Sequence, residues 1–444
     1  MSERMWSFLS LLAAGLAMGL AHRSPALWAF AWLAVILLVG GLRTRHLASV
    51  AGLAAAGAIA YWLGHPWQLG TLRHYILSNQ YLVAALAIAF TTLVVVAKLG
   101  PVLLGWKLLG RFPAWTWLPA AILLGEDLLN RIFPMPYSAW LVTQATVAPV
   151  LRAVSLLGWT LAAWCCLAIA TAAGEAVFRR EPRRLLVPAL GLVALVFLPP
   201  SPGVSRDRLA AVGAVHMTDP LRGPKAGVPG VRLLVWPEHV SKHRPWLTEG
   251  PGDGQRIAPP LRTVGTAHLY GMVTRQADSI QNSLVALDAE GGVKWVRAKA
   301  LLFPFTEQKV FGIGFVEPIP LRPGREGALT EIGGMRLVSV LCLEGLERDY
   351  LRQQAQDGAE LITVSASDNP LAGSPLGMRQ IVAATSLVAA DLGLPIVRSS
   401  IFGQAAIIDA NGEVLAVSAP GTSGILTLRR PERQAEERPR DPPR

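Results

Sequence analysis

Seven apolar runs dominate the first 200 residues and restrict the folds open to this chain. A helix needs about 20 largely apolar residues to cross the hydrocarbon core of a bilayer, which is about 30 Å thick. Backbone that faces lipid must satisfy its hydrogen bonds internally, and runs of this length do so as α-helices. We therefore predict a helical membrane domain of seven spans over residues 1–200. The apolar runs are centred on residues 7–22, 25–41, 47–64, 80–98, 113–126, 150–176 and 184–199.

Arginines and lysines in the short loops predict the orientation of this domain, because cytoplasmic loops carry an excess of both. A cytoplasmic N-terminus gives the inside loops more basic residues than the outside loops. Seven spans then place the rest of the chain outside the cytoplasm, so we expect a multi-pass protein of the inner (cytoplasmic) membrane whose C-terminal half is periplasmic if the cell is a Gram-negative bacterium. The inside loops hold Arg43, Arg45, Lys98, Lys107, Arg111, Arg179, Arg180, Arg183 and Arg184, and the outside loops hold Arg23, Arg73, Arg131 and Arg152.

The net charge of +11 is largely explained by these loops. Basic residues divided among loops and the tail do not form the single basic face that nucleic-acid binding requires, so no nucleic-acid partner is predicted. The expected partner of this half of the chain is the bilayer itself.

The sequence pattern of the second half predicts an α/β domain. Pro199, Pro200 and Pro202 end the last apolar run, which predicts a boundary near residue 200 and a domain over residues 201–428. Short β-rich runs alternate with amphipathic stretches at 346–358 and 376–392, a pattern typical of a sheet covered by helices. The tail, residues 429–444, is predicted to be disordered. Strands are predicted at 210–215, 231–236, 265–273, 282–287, 335–342, 360–366, 395–400 and 404–409, with hairpin turns after Asp288 and Asp409.

Three polar residues stand at the ends of predicted strands: Glu238, Lys299 and Cys342. They supply a base, a cation and a nucleophile. A thiol attacks as its thiolate, which a nearby carboxylate can generate, and an ammonium stabilises the oxyanion that forms at a carbonyl. Each residue alone is more often a core cysteine or a solvated loop residue, so the combination carries the prediction.

Neither a metal nor another cofactor is predicted. His239 and His243 have i, i+4 spacing, but no acidic or histidine cluster with ligand spacing accompanies them. The chain also lacks a Gly-rich phosphate loop.

The contexts of these three residues resemble the nitrilase, or carbon–nitrogen hydrolase, superfamily. The strongest segment is Lys299-Ala-Leu-Leu-Phe-Pro-Phe-Thr-Glu307, which is similar to the family's K-x-x-L-V-P-F-G-E. Behind a multi-span membrane domain, the domain resembles the apolipoprotein N-acyltransferase family. The resemblance implies an α-β-β-α sandwich.

The resemblance also implies a reaction and roles. A phospholipid would donate an acyl chain to Cys342 as a thioester, and the amine of a lipoprotein's N-terminal cysteine would accept it. Glu238 would be the base, and Lys299 with the backbone N–H of Leu343 would stabilise the oxyanion. Supporting roles are implied for Glu307, Glu344 and Trp236, the first two by orienting Lys299 and the entering amine.

A second segment, Glu126-Asp-Leu-Leu-Asn-Arg131-Ile-Phe-Pro-Met-Pro, resembles the same family's E-x-x-R…F-P-W. Glu126 and Arg131 would then form a site at the outer membrane face. A charged pair that caps a membrane span explains the segment equally well.

Departures from the family pattern leave other functions open. Leu343 replaces a tyrosine, and residues 365–373 and 387–391 lack the family's aromatic pair and its R-A-x-E motif. Only about fifteen residues separate the first two strands, too few for the usual long helix, and no apolar run follows Gly424, so a final span is expected to be missing. A shortened branch similar to the conjugal-transfer TraB-type proteins, with another amine acceptor, fits these losses.

Two further alternatives are a membrane-tethered amidase or nitrilase that hydrolyses its thioester, and a non-catalytic membrane scaffold. The apolarity of the site's mouth would separate transfer from hydrolysis. The segments His239–Thr248 and Phe311–Pro320 could form such a mouth or be ordinary surface loops.

Overall fold

The computed structural model describes residues 2–44, 46–76, 80–134, 136–180, 185–199, 206–219, 224, 227–238, 265–276, 279–304, 306–309, 321–325, 327–371 and 373–428. Its first part is helical and its second part combines strands with helices. The helices are α1 Glu3–Arg23, α2 Ala29–Gly41, α3 Leu47–Gly64, α4 Trp67–Ile76, α5 Gln80–Leu109, α6 Ala114–Ile132, α7 Ala148–Arg179, α8 Leu186–Val196, α9 Arg206–Ala210, α10 Arg348–Ala355 and α11 Pro375–Leu392.

A helix lies at each of the seven predicted apolar runs. Four of them, α1, α3, α5 and α7, are long and apolar enough to cross a membrane. The helices α2 and α8 are apolar but shorter, with 13 and 11 residues. The membrane character of the first half is therefore confirmed, whereas the count of seven spans stays a prediction.

Small residues bring the membrane helices close together. A Cβ atom on Gly15 of α1 would collide with the backbone oxygen of Ala56 in α3, and one on Gly125 of α6 would collide with the backbone oxygen of Lys98 in α5. Close approach of this kind is how helices gain packing energy where lipid removes the hydrophobic driving force.

The strands form one strongly curved mixed sheet, with both parallel and antiparallel pairs. Its main path runs β5-β4-β3-β2-β1-β9-β8-β7-β6, β10 pairs with β9 and β11, and β12 pairs with β1. The strands are β1 Val212–Met217, β2 Leu233–Val235, β3 Ala267–Gln276, β4 Ser279–Leu287, β5 Val293–Ala298, β6 Leu329–Ile332, β7 Met335–Leu341, β8 Leu361–Ser367, β9 Ile396–Ile401, β10 Ala406–Ile408, β11 Val414–Val417 and β12 Gly424–Leu426.

All eight predicted runs contain a strand, and β5 and β11 follow the predicted turns. The additional strands β6 and β12 lie at edges. They escaped prediction because a strand of three or four half-buried residues has little alternation to detect.

The sheet folds so that its two wings face each other. Leu233 of β2 lies in the same buried apolar cluster as Leu337 of β7 and Leu361 of β8. The other face of β7 and β8 is covered by α10 and α11. Parallel neighbours such as β8 and β9 are buried on both faces, as parallel sheets require.

The helix α11 also joins the two halves of the chain. Gln380 donates from Nε2 to the backbone oxygens of His22 (2.9 Å) and Gly64 (2.8 Å), and its Oε1 accepts from Trp67 Nε1 at 2.8 Å. At the other end of α11, Asp391 accepts from the backbone N–H of Trp159 at 2.6 Å. The membrane helices and the α/β domain thus share one packed interface.

Candidate active site

Cys342 occupies a sharp turn directly after β7. Its φ angle is 49°, in the left-handed region, and residues Cys342–Leu346 continue as a 3-10 turn. A non-glycine residue in this region is strained by about 1–2 kcal/mol and persists only where its surroundings impose it. The turn lifts the nucleophile out of the strand while keeping its thiol part-buried.

Glu238 lies close behind β2 and reaches Lys299, which follows β5. The distance from Glu238 Oε1 to Lys299 Nζ is 3.1 Å, and both side chains are almost completely buried. Glu238 Oε2 accepts a hydrogen bond from the backbone N–H of Ser367 at 3.1 Å. The carboxylate is therefore held between the lysine and the end of β8.

Glu307 completes the electrostatic environment of Lys299. Its Oε2 lies 2.7 Å from Lys299 Nζ and accepts from the backbone N–H of Phe303 at 2.6 Å. Burial by itself would lower the pKa of Lys299, but Glu238 and Glu307 together hold it well above its ordinary value. Lys299 is consequently a fixed cation at neutral pH.

The thiol of Cys342 faces the same cluster. Its Sγ approaches the backbone oxygen of Ser367 at 3.9 Å. Burial, reinforced by the negative charge of Glu238, raises the pKa of Cys342, while Lys299 acts in the opposite direction. Cys342 therefore rests as a neutral thiol, and its attack on a carbonyl requires a base. Glu238 is a suitable carboxylate, because it and Cys342 both contact the backbone of Ser367 at the end of β8.

Asn282 is a site residue that the sequence analysis missed. Its Nδ2 donates to Glu238 Oε1 at 2.6 Å and to Glu307 Oε1 at 2.9 Å, so one amide group ties the two carboxylates together. Asparagine is depleted in strands. Its presence at a buried position of β4 was the signal that could have identified it.

A buried ion pair behind the loop after β8 was missed as well. Arg398 of β9 binds both carboxylate oxygens of Asp368, at 2.5 and 2.9 Å, and Ser400 Oγ donates to Asp368 at 2.7 Å. The pair fixes the loop that presents the backbone of Ser367 to Glu238 and Cys342. Neither Asp368 nor Arg398 has a local pattern that distinguishes it from a surface charge.

Glu344 has partners other than Lys299. It forms a bidentate ion pair with Arg297, at 2.7 and 2.8 Å, and neither side chain is exposed. It also accepts from the backbone N–H groups of Ala300 (2.6 Å) and Leu341 (2.8 Å). Glu344 thus joins the segment after Lys299 to the strand end before Cys342, and its support of the site is indirect.

Two other supporting residues are also placed. Trp236 is buried and donates from Nε1 to His268 Nδ1 at 3.0 Å, with its ring against Tyr270, so it packs the core beneath the end of β2. Leu343, also buried, is the second residue of the turn that begins with Cys342.

Glu126 and Arg131 do not form a pair with each other. Glu126 is buried and accepts from the backbone N–H of Trp140 at 2.6 Å, whereas Arg131 is exposed and binds Asp127 at 2.8 Å. The two residues face different surroundings because side chains five positions apart on a helix point in different directions. Glu126 and Arg131 therefore do not come together in the shared membrane-face site that the sequence resemblance implies.

Several other predictions concern residues outside the described part of the chain. These are the mouth segments His239–Thr248 and Phe311–Pro320 and the tail 429–444. Within the described residues, no group of three or more potential ligand side chains could hold a metal ion.

The second half of the chain matches a known protein family. The profile of the carbon-nitrogen hydrolase family matches residues 214–438, just over half of the chain. The chain belongs to the carbon–nitrogen hydrolase family. The predicted family and the fold class, a helical membrane segment followed by an α/β domain of this type, are thereby confirmed.

Relatives of this carbon–nitrogen hydrolase include apolipoprotein N-acyltransferases. That of Rhodopseudomonas palustris is 26% identical over 230 residues, which cover 48% of this chain and 42% of the relative. That of Allorhizobium ampelinum is 29% identical over 216 residues, covering 45% and 40%. The chain therefore matches about two fifths of the length of these relatives.

The solved structures that are similar to this chain are more distant in sequence. A carbon-nitrogen hydrolase from Helicobacter pylori covers 48% of this chain and 86% of its own, with 15% identity and a TM-score of 0.34. An amidase variant from Nesterenkonia sp. AN1 covers 51% and 96%, with 15% identity and a TM-score of 0.33.

Proposed function

We propose that this protein is a membrane-bound N-acyltransferase, which moves an acyl chain from a phospholipid through a thioester on Cys342 to an amine. The observation that carries the proposal is the convergence of Glu238, Lys299 and Cys342, which come from three separated strand ends. Apolar residues could fill the same space, so packing alone does not explain a buried base, a fixed cation and a strained nucleophile in one place.

In the first half-reaction, the thiol of Cys342 attacks the ester carbonyl of the phospholipid. Glu238 takes the thiol proton as the carbon–sulfur bond forms, and Lys299 stabilises the negative charge on the carbonyl oxygen. The tetrahedral intermediate collapses, the ester carbon–oxygen bond breaks, and Glu238 returns the proton to the departing lysophospholipid oxygen.

In the second half-reaction, a neutral amine attacks the thioester. Glu238 accepts a proton from the amine nitrogen, and the carbon–sulfur bond breaks as the amide forms. The thiolate of Cys342 then regains that proton, which restores the resting site. Lys299 stabilises the oxyanion in both directions because its charge is fixed throughout.

Contacts between the site loops and the membrane helices favour a lipid donor. Phe303, in the segment after Lys299, packs edge-on against Phe133 at the end of α6, with ring centroids 5.9 Å apart. Behind β8, the backbone oxygen of Pro370 accepts a hydrogen bond from Thr71 of α4. Among the described residues, two loops beside the site therefore rest on the membrane domain, and a phospholipid that reaches the site from there need not leave the bilayer.

The proposed acceptor is the amino group of a lipoprotein's N-terminal cysteine, on the strength of the names of the sequence relatives. The proposed location is the bacterial inner membrane with the catalytic domain on the periplasmic side, as the loop charges predict. Both substrates are then confined to the outer leaflet, which raises their effective concentration at the site.

Mass spectrometry of the intact protein tests the thioester. Purified protein incubated with phosphatidylethanolamine vesicles should gain the mass of one acyl group on Cys342, and neutral hydroxylamine should remove it. Cys342→Ala should gain none, while Cys165→Ala, which changes a free cysteine in α7, should be acylated normally. An active preparation without an adduct, or normal turnover by Cys342→Ala, would exclude the mechanism.

The fate of the acyl group separates transfer from hydrolysis. Adding a diacylglyceryl-cysteine peptide to the acyl-enzyme should yield the N-acylated peptide. Release of free fatty acid at the same rate with and without the peptide would show a hydrolase instead. Rescue of a strain depleted of its own apolipoprotein N-acyltransferase would identify lipoproteins as the acceptor in cells.

A further inference from the structure

A cavity lies inside the membrane domain, apart from the triad. It is partly open, has a volume of about 140 Å³ and is lined by α1, α2, α3, α5 and α6, with the segment around Trp140 at one side. An engineered apolar cavity of about 150 Å³ in another protein binds benzene. The space is therefore large enough for the body of a small organic group.

One wall of this cavity carries opposite charges. Lys98 of α5 and Glu126 of α6 both line it. Lys98 Nζ donates to the backbone oxygen of Ser138, and Glu126 accepts from the backbone N–H of Trp140 at 2.6 Å. Ionisable residues inside a membrane domain are expensive to bury, and they commonly mark a binding site or pathway.

Three more residues that line the same space carry a polar atom without a protein partner. Among the described residues, His22 Nδ1, Tyr61 Oη and His65 Nε2 make no hydrogen bond, although these residues are only 8%, 4% and 2% exposed. The ring of His65 stands between the other two, 4.7 Å from the His22 ring and 5.6 Å from the Tyr61 ring. A buried polar atom without a hydrogen bond destabilises the fold, and a bound polar group would remove that penalty.

The composition of the wall limits the ligand's chemistry. Of the described residues that line the cavity, Lys98 and Glu126 alone carry formal charges, and these cancel. The remaining wall is largely apolar and includes the small side chains of Ala14 and Ala34. A net charge on a ligand would have no counter-charge, whereas a hydroxyl or carbonyl on an apolar body would match both parts of the wall.

We propose that this cavity is a binding site for an uncharged amphiphile, with a hydroxyl or carbonyl group held by His22, Tyr61 and Lys98 and an apolar body against Ala14 and Ala34. The ester region of a glycerolipid and a free long-chain alcohol share this chemistry. The site is independent of the acyl transfer proposed above, because none of Glu238, Lys299 and Cys342 lines it.

Photolabelling of the full-length protein in nanodiscs tests the site without relying on activity. Two probes are used separately: an octanol that carries an aliphatic diazirine, and a phosphatidylcholine with a diazirine close to the ester. Peptide mapping should locate adducts on α1 and α3 around Ala14 and Tyr61. Labelling by the phospholipid would identify a glycerolipid as the ligand, and labelling by octanol alone would identify a free amphiphile.

Matched variants make the result specific. Ala14→Leu fills the cavity, and labelling should fall at least tenfold. Ala13→Leu makes the same change on the exposed side of α1 and should label as the unmodified protein does. Tyr61→Phe removes only the hydroxyl and should reduce labelling several-fold, which covers the case that Ala14→Leu does not fold.

The proposal is overturned if neither probe labels the cavity wall, as expected of a space that holds water only. It is equally overturned if Ala14→Leu, correctly folded by its thermal unfolding, labels as strongly as Ala13→Leu. Unchanged labelling of Tyr61→Phe would exclude the polar contact.

Discussion

Asn282 shows how a single uncharged side chain can determine the geometry of a charged site. Glu238 and Glu307 both approach Lys299, and two carboxylates at such short distances repel each other. The Asn282 amide donates to one oxygen of each and reduces that repulsion. It therefore acts as a positioning residue for the base without a charge of its own.

The variant Asn282→Asp should slow acyl-enzyme formation by about 100-fold, the loss typical of a removed preorganised hydrogen-bond donor. The change is nearly isosteric but replaces the donor with a third carboxylate beside one lysine. The rate of mass gain on Cys342 measures it. Asn411→Asp, in the turn between β10 and β11, is the control and should react normally. An unimpaired Asn282→Asp would remove Asn282 from the site.

The strained backbone of Cys342 also bears on its function. Cys342 takes a left-handed φ at a position where the chain could have used glycine. Gly345, three residues later, lies so close to Val364 that an added Cβ would approach its side chain within 2.8 Å. The turn is compressed against β8, and this packing holds the nucleophile in its strained conformation.

Among the elements, α11 connects the two halves of the chain. Its N-terminal part reaches the ends of α1 and α3 through Gln380, and its C-terminal part reaches α7 through Asp391. Gly158 interrupts α7 with a φ of 77°, which leaves the N–H of Trp159 available to Asp391. The kink in α7 thus exposes a backbone donor that is bound by a carboxylate of the α/β domain.

Replacing Gln380 with leucine should lower the stability of the interface by about 3 kcal/mol, because two backbone oxygens and an indole N–H lose their buried partner. Thermal unfolding in detergent micelles should show a clear fall in Tm. Arg379→Leu, at the adjacent and exposed position, should leave Tm nearly unchanged. An equal effect of both substitutions would mean that Gln380 has no special part in the junction.

At the scale of the whole molecule, the hydrophobic core is continuous from the membrane helices to the sheet. One buried cluster contains Trp140 and Ala163 of the first half together with Val340, Ile362 and Leu387 of the second. The α/β domain has buried clusters of its own, one of them between the wings of its sheet, but the core on the α11 side of β7 and β8 is shared with the membrane helices. This continuity also keeps the loops of the candidate site packed against the membrane helices.

A fragment of residues 206–428 should consequently fail to behave as a folded soluble domain. Without α7 and the segment around Trp140, the apolar face of α11 is exposed to water, and patches of this kind cause association. Size-exclusion chromatography should show aggregates that mild detergent disperses, whereas the full chain in nanodiscs elutes as one species. A monodisperse fragment with cooperative unfolding at the Tm of the full chain would contradict the shared core.

The sequence by itself determined most of the elements, all but short strands such as β6 and β12, and the identity of the three candidate catalytic residues. Apolar runs of membrane length specify helices, short β-rich runs specify strands, and these are local properties that need no knowledge of packing. Glu238, Lys299 and Cys342 could be found because each stands at the end of such a run, in a context that resembles the carbon–nitrogen hydrolases.

Only the tertiary structure decided which residues meet. Asn282 bonds to Glu238 and Glu307, Arg398 to Asp368, and Gln380 to helix ends more than 300 residues away, and none of these pairs has a local signature. The separation of Glu126 from Arg131 and the cavity beside Lys98 are likewise products of packing. Contacts between distant residues depend on how whole helices and sheets fit together, because burial and hydrogen bonding are satisfied across the fold and not along the chain.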